Sequence, residues 1–185
     1  MALYFAGNAQ FIVGGNTALT ASSTGGGISN PTRPMFSAYM NATTSPGSVT
    51  TFNQWLNPTT NISGLTNPAW YAYTNVGNHF NTSTGTFTAP VTGTYMFFSS
   101  ITADIRNTVY MSFGINGNNT TVPYSNLFEP NGQNGLASYM SGKNTVSYTL
   151  AANDTVALSY YFAGASTTVI QAGYTFFNGF LVAGS

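Results

Sequence analysis

Large apolar residues alternate strictly with small or polar residues through several segments of the chain. In the segment 109–116 the apolar set is Val109, Met111, Phe113 and Ile115. Because successive side chains of a β-strand point to opposite faces of the sheet, this alternation predicts a strand with one buried face. The dipeptide Asn116-Gly117 that follows favours the positive φ angles of a tight hairpin turn. The same alternation recurs over 93–103 and 154–163.

After residue 34 the chain consists of about ten short segments rich in Val, Tyr, Phe and Thr, separated by Gly, Asn and Pro. They lie near 35–39, 49–56, 69–74, 85–89, 93–103, 108–116, 121–128, 145–150, 154–163 and 169–182. No segment keeps a 3.6-residue apolar period for three turns, so the pattern is typical of strands and not of helices. It predicts an all-β, two-sheet antiparallel jelly-roll sandwich. A closed up-and-down barrel is the alternative, which the variable loop lengths disfavour.

The last predicted strand, from about 169 to 182, carries large side chains on both of its faces. Phe177 belongs to one alternating set, and Phe180 belongs to the other. A strand of this kind is stable when both faces are buried. We expect one face to contact the core and the other to contact a neighbouring subunit or a covering sheet.

Residues 1–33 differ from the rest of the chain. Apolar residues are few here, and the candidates for an anchoring contact are Tyr4, Phe5, Phe11, Ile12 and Val13. The small-residue run that follows, with Gly25-Gly26-Gly27 and two prolines, favours an extended connector. The sequence therefore predicts an extended N-terminal arm with a Gly-rich connector at 1–33 and one folded domain at 34–185.

Charge is nearly absent from the sequence. Only 3% of the 185 residues are charged, with a formal net charge of zero, whereas an ordinary domain carries about 25%. Three scattered basic residues cannot neutralise a run of phosphates, so DNA and RNA are excluded as partners. A neutral surface also lacks the self-repulsion that keeps free proteins apart, and it suits a protein that works inside an assembly.

The sequence also gives no indication of export or of membrane insertion. The first fifteen residues have neither a positive n-region nor a sustained apolar h-region, and we expect no classical export signal. No apolar run approaches the length that crosses a bilayer, so membrane insertion is not predicted. The absence of cysteine excludes disulfides and thiolate metal sites.

The residues that could carry catalysis are few and scattered. His79 is the single histidine, and we expect it to be structural, since a catalytic histidine needs an oriented partner. The acids Asp104, Glu129 and Asp154 lie far apart in the sequence, and Asp154 is expected to shape a turn. Asp104 can instead pair with Arg106 or across a subunit boundary. The sequence therefore predicts a protein that is not an enzyme and uses no cofactor or metal.

One set of spacings resembles a known family. Its members are Asn75, Phe80, Phe87, Gly93, Tyr95 and Phe97, and they resemble the signature of the complement C1q globular head, which belongs with the tumour necrosis factor-like jelly rolls. The segments 34–38 and 177–182 resemble the family's first and last strands, so the resemblance spans about 34–182. The family's first and last signature aromatics fall at Ala69 and Ser99, beside Trp70 and Phe98. The family usually carries a collagen stalk with a Gly-X-Y repeat, and the Gly-rich run of this chain has no such period.

The resemblance implies a compact homotrimer whose jelly rolls pack around an axis lined by apolar and aromatic side chains. The residues that it assigns to the fold signature and core are Asn75, Phe80, Phe87, Gly93, Tyr95, Phe97, Phe177, Gly179 and Phe180. Some relatives bind calcium near this axis, and the small number of acids here disfavours such a site.

Two functions are compatible with these features. The first is a structural virion protein of tailed-phage type on the virion surface: a trimeric capsid decoration or cement protein, or a fibre or spike head. Its partners are then further copies of the chain and, through the arm, the major capsid protein or another virion protein. The alternative is a free trimeric recognition module, extracellular or on a cell surface, that binds glycans or proteins through its loops.

Overall fold

The computed structural model describes residues 9–13, 16–21, 28–29, 33–42, 47–49, 55–56, 62–63, 65–104, 108–118, 125–128, 139–163 and 168–184. Within these ranges the strands are β1 (Ala9–Val13), β2 (Asn16–Ala21), β3 (Ile28–Ser29), β4 (Met35–Ala42), β5 (Gly47–Val49), β6 (Trp55–Leu56), β7 (Ile62–Ser63), β8 (Leu65–Val76), β9 (Phe80–Asn81), β10 (Thr86–Thr88), β11 (Gly93–Asp104), β12 (Thr108–Ile115), β13 (Ser125–Phe128), β14 (Tyr139–Leu150), β15 (Thr155–Ala163), β16 (Thr168–Ile170) and β17 (Phe176–Gly184). A single 3-10 turn, Ala172–Tyr174, lies between β16 and β17 in this part of the chain.

Two antiparallel sheets make up the main body. The long sheet has the order β14-β11-β17-β4-β8, and β16, β5 and β7 extend it along the end of β11 that β17 does not reach. The short sheet has the order β13-β12-β15-β10-β9, with β6 paired to β15. The prediction of an all-β fold with two antiparallel sheets is confirmed.

Aromatic rings fill the space between the two sheets. The buried rings of the central cluster belong to Phe36, Trp70, Phe80, Phe87, Phe97, Phe113 and Phe177. Phe36 stacks on Phe80 with ring centroids 4.5 Å apart, and Phe177 meets Phe36 edge-on at 4.8 Å. Such pairs contribute about 0.5–1.5 kcal/mol each beyond their buried area. The core therefore accounts for a large part of the aromatic content.

The alternation seen in the sequence determines which side chains enter this core. Met111, Phe113 and Ile115 are buried, as are Val156, Leu158 and Tyr160 of the neighbouring strand. The turn after β12 begins at Asn116 and Gly117, and both residues have positive φ angles. The hairpin-type turn predicted at this dipeptide is confirmed.

The predicted single strand over 169–182 is wrong. The backbone leaves the sheet after Ile170, forms the 3-10 turn and returns as β17. The Thr175 hydroxyl donates to the carbonyl oxygen of Gln171 (3.0 Å), as does the amide of Tyr174 (3.2 Å). A threonine side chain that bonds nearby backbone offers the chain an alternative to the strand ladder, which explains the interruption.

The region predicted as an extended arm contains a small sheet of its own. β1, β2 and β3 pair antiparallel in that order, with a bulge between Phe11 and Ile12. Among the anchoring candidates, Phe11, Ile12 and Val13 lie on β1, whereas Tyr4 and Phe5 lie outside the described residues. The domain boundary after residue 33 stays a prediction.

Candidate functional site

Asn75 of the signature closes the turn between β8 and β9. Its side-chain Nδ2 donates to the Phe80 carbonyl (2.8 Å), and its Oδ1 accepts from the Phe80 amide (3.0 Å). The side chain thus replaces a pair of backbone bonds where Gly77 and Asn78 take positive φ angles. An asparagine is needed here because it has both a donor and an acceptor at its tip.

His79 belongs to the same turn. Partial burial lowers its pKa from the ordinary value, because desolvation disfavours the charged ring. Its ring lies against Gly77, where an added Cβ would stand 2.3 Å from the His79 Nε2. Within the described ranges, no group of three His, Asp or Glu residues is placed to hold a metal ion.

Asp154 lies in a turn at one end of the sandwich. Asp154 accepts from the Ala151 amide and from the Asn116 Nδ2, both at 2.8 Å, and so joins two turns at one end of the sandwich. The predicted turn-shaping role of Asp154 is confirmed. Asp104 is the last residue of β11 and lies opposite Tyr139 of β14, whereas Arg106 and Glu129 lie outside the described residues.

The structure places the apolar signature residues in two environments. Phe80, Phe87, Tyr95, Phe97 and Phe177 are buried in the core. The Tyr95 hydroxyl donates to the Val91 carbonyl (2.8 Å), and burial raises the pKa of this tyrosine. Phe180 is instead half-buried on the opposite face of the long sheet, because it alternates with Phe177 and Gly179 along β17.

Gly93 and Gly179 are the signature glycines, and each lies where other groups approach closely. A Cβ at Gly93 would stand 2.5 Å from the Ala183 carbonyl oxygen, where β11 runs beside β17. A Cβ at Gly179 would stand 2.6 Å from a ring atom of Phe97 and 2.7 Å from one of Phe36. Both positions therefore require the smallest residue for steric reasons.

The face of the long sheet that points away from the core carries a band of apolar side chains. We define this apolar stripe as Met35, Met96, Phe98, Phe176 and Phe180. Strand register brings its members together: Met96 lies opposite Phe180 on β17, and Phe180 lies opposite Met35 on β4. The rings of Phe98 and Phe180 stack at 6.0 Å. The stripe thus crosses three adjacent strands.

Arg33 borders the apolar stripe two residues before β4. Its guanidinium carbon lies 5.9 Å from the centre of the Phe180 ring. The same group donates from Nε to the Leu181 carbonyl and from Nη2 to the Val182 carbonyl (2.8 Å). Arg33 therefore fixes the end of the N-terminal region against the last strand.

Sequence reasoning missed Phe98, Met96 and Arg33. The signal for the first two was available, because residues between the core positions Tyr95, Phe97 and Ser99 must face the other way. Ser99 occupies a core position, where its hydroxyl contacts the Met111 sulfur (3.3 Å). No sequence pattern indicated the contact of Arg33 with the end of the chain.

The two-sheet jelly roll places the chain in the structural class that complement C1q heads share with tumour necrosis factors. The sequence model of the C1q domain matches residues 65–182, which is more than half of the chain. The chain therefore belongs to the C1q domain family. No curated protein matches it in sequence.

Solved structures share the fold at low sequence identity. The globular domain of the zebrafish complement 1qA protein is 18% identical with a TM-score of 0.52, and the alignment covers 83% of this chain and 99% of that one. The Eiger TNF of S. frugiperda is 15% identical with a TM-score of 0.52, covering 83% and 96%. Murine APRIL is 13% identical with a TM-score of 0.50, covering 81% and 99%.

The described part of the chain contains no helix with the length and apolar character needed to cross a bilayer.

Proposed function

We propose that the chain is a non-enzymatic structural protein that assembles as a homotrimer through the apolar stripe and decorates the surface of a virus particle. The observation that carries the proposal is the stripe itself, which lies on the outer face of the long sheet and is built mainly from aromatic rings. Capsid decoration or cement is the preferred role, and a fibre or spike head is a variant of it.

Association through the stripe is favoured by the hydrophobic effect. Fully burying a Phe or Met side chain stabilises by about 1.5–3 kcal/mol relative to leaving it exposed. Met35 is 42% exposed and the three phenylalanines are half-buried, so part of this free energy is still available to association. A closed ring of three copies leaves no subunit with an uncovered contact surface, whereas an open chain leaves one uncovered at each end.

Replacing Phe98 with Asp should abolish the trimer. The carboxylate would have to be desolvated within the stripe beside Phe180, which costs several kcal/mol for each unpaired charge. Light scattering of the parent protein should give three times the 19.5 kDa of one chain, and the variant should give one chain. The control is Ser83→Asp in an exposed turn away from the stripe, which should stay trimeric. A trimeric Phe98→Asp protein contradicts the interface.

Attachment to a particle is supported by the N-terminal region and by the lack of charge. β1 is at one edge of the small sheet and, among the described strands, pairs only with β2. An edge strand presents unpaired backbone groups that can add a strand from another protein, and this contact needs no charge. Three such edges in a trimer would act multivalently, so weak single contacts would suffice.

Removing residues 1–30 should release the protein from particles. Arg33 is retained in this variant, so its contacts with Phe180 and the last strand are preserved. The measurement is co-sedimentation of parent and shortened protein with purified virions, with light scattering as the control for an intact trimer. Undiminished sedimentation of the shortened trimer, or absence of the parent from virions, contradicts the proposal. Glycan or protein binding through the loops, without particle association, would favour the free recognition module.

A further inference from the structure

Three tyrosine rings form a cluster on the outer face of the long sheet. Tyr39 lies on β4, and Tyr71 and Tyr73 lie on β8; we call these residues the tyrosine cluster. The ring centroids are 5.3 Å apart for Tyr39 and Tyr71, 5.1 Å for Tyr39 and Tyr73, and 5.4 Å for Tyr71 and Tyr73. Each ring therefore contacts the other two.

The rings are packed against each other and still face solvent. Tyr71 is 50% exposed and Tyr73 is 73% exposed. Their strand, β8, is at one end of the long sheet's strand order. By contrast, the phenylalanines of the apolar stripe are half-buried on more central strands. In the single subunit, Tyr71 and Tyr73 are thus more open than any member of the stripe that we assign to subunit association, of which Met35 is the most exposed at 42%.

The tyrosine cluster lies at a β-bulge in the pairing of β4 with β8. The register of β4 and β8 pairs Ser37 with Thr74 and then Ala38 with Ala72, so Tyr73 is the extra residue on β8. A bulge redirects a side chain and disrupts the ladder locally, and it is common at sheet edges and beside functional sites. Tyr73 is two residues from Tyr71, so strand alternation places both rings on the same face, and the Tyr73 ring contacts both other rings.

The strands that carry the cluster and the strand beside them contain no charged residue. Neither β4 nor β8 contains Asp, Glu, Lys or Arg, and the adjacent strand β17 contains none. Ser37 and Thr74 lie opposite each other on the same face as the rings. Phosphate and carboxylate ligands need charged or strongly donating partners, which these strands do not supply. The ligand that fits must be neutral, with both apolar and hydroxyl groups.

We propose that the tyrosine cluster binds neutral carbohydrate. The C–H face of a pyranose ring is apolar and can lie on the flat face of a tyrosine, while sugar hydroxyls bond to the tyrosine, serine and threonine hydroxyls at the margin. Tyrosine suits this task because it combines a large apolar surface with a polar tip at little cost in side-chain entropy. The site lies on strands, so it differs from recognition through loops, and it does not depend on attachment to a particle.

The test uses the full chain and named saccharides. Isothermal titration calorimetry is performed with maltohexaose, cellohexaose, chitohexaose and mannohexaose as neutral probes and with a heparin hexasaccharide as an anionic probe. We expect at least one neutral probe to bind and the anionic probe not to bind. Tyr71→Ala and Tyr73→Ala should each weaken binding by about tenfold or more, which corresponds to about 1.4 kcal/mol. Tyr73→Phe, which keeps the ring, should lose less.

The matched control is Tyr174→Ala. Tyr174 is 71% exposed and lies in the 3-10 turn, outside the tyrosine cluster, so its loss should leave the affinity unchanged. The proposal is overturned if none of the neutral probes binds, or if Tyr174→Ala weakens binding as much as Tyr73→Ala. It is also overturned if Tyr73→Ala lowers the mass of the assembly in light scattering, since the ring would then belong to a contact between copies of the chain.

Discussion

Phe177→Ala should destabilise the protein more than any other single truncation on β17. Its ring lies at the centre of the aromatic core, with centroid distances of 4.8 Å to Phe36, 5.8 Å to Phe80, 5.9 Å to Phe97, 5.9 Å to Phe113 and 6.4 Å to Trp70. Removing a buried Phe side chain costs about 3–5 kcal/mol, because the transfer free energy is lost and a cavity remains. A loss of this size is a large fraction of the 5–15 kcal/mol that holds a typical domain together. Urea unfolding should therefore show a much lower midpoint at an unchanged m-value.

Phe180→Ala provides the control in the same strand. The two residues lie on opposite faces, and Phe180 is only half-buried, so its truncation should cost the protomer clearly less than that of Phe177. The effect of Phe180→Ala should appear instead in the concentration at which the trimer dissociates. Equal losses of unfolding free energy for the two variants would contradict the assignment of one residue to the core and the other to the apolar stripe.

The period of two in the sequence was sufficient to predict the sheet faces. The alternation was clear from Val109 to Ile115 and around Tyr95, because side chains of a β-strand alternate between its two faces whatever the neighbouring strands are. The C1q-like spacing was equally readable, since Asn75, Gly93 and Gly179 occupy positions where side-chain bonding or close packing restricts the residue type. The Asn75 bonds are local, whereas the two glycines are restricted by contacts with other strands and were found through the resemblance alone.

Features that leave no mark on the alternation pattern could not be predicted in the same way. The break before β17 arises from hydrogen bonds of Thr175 and Tyr174 to Gln171, and threonine is otherwise a favourable strand residue. Tyr71 and Tyr73 share a strand face by alternation, but their contact with Tyr39 can be recognised only once the pairing of β8 with β4 is known. The contact of Arg33 with Phe180 joins residues at opposite ends of the chain. Each of these required the tertiary structure.

The apolar stripe and the tyrosine cluster lie side by side on one face of the long sheet, and we assign them to different kinds of contact. Phe176 of the stripe lies directly opposite Tyr39 of the cluster in strand register, so the two surfaces adjoin. The side chains are phenylalanine and methionine in the stripe and tyrosine, serine and threonine in and beside the cluster. Interfaces commonly have an apolar centre and a polar rim, so the same order is expected where a subunit contact ends and a solvent-facing site begins.

Gly179→Ala should destabilise the core by overpacking, although it adds a single methyl group. The new carbon would stand 2.6–2.7 Å from ring atoms of Phe97 and Phe36, well inside van der Waals contact. Both rings are buried among other rings, and a close-packed interior has little room for them to move. Overpacking of this kind costs about 1–3 kcal/mol, or roughly 2–4 °C in Tm per kcal/mol for a domain of this size. The control is Gly173→Ala, where an added Cβ meets nothing within 4 Å, and Tm should stay within about 2 °C of the parent. If the two variants melt at the same temperature in scanning calorimetry, Gly179 is not required for the contact between β17 and the aromatic core.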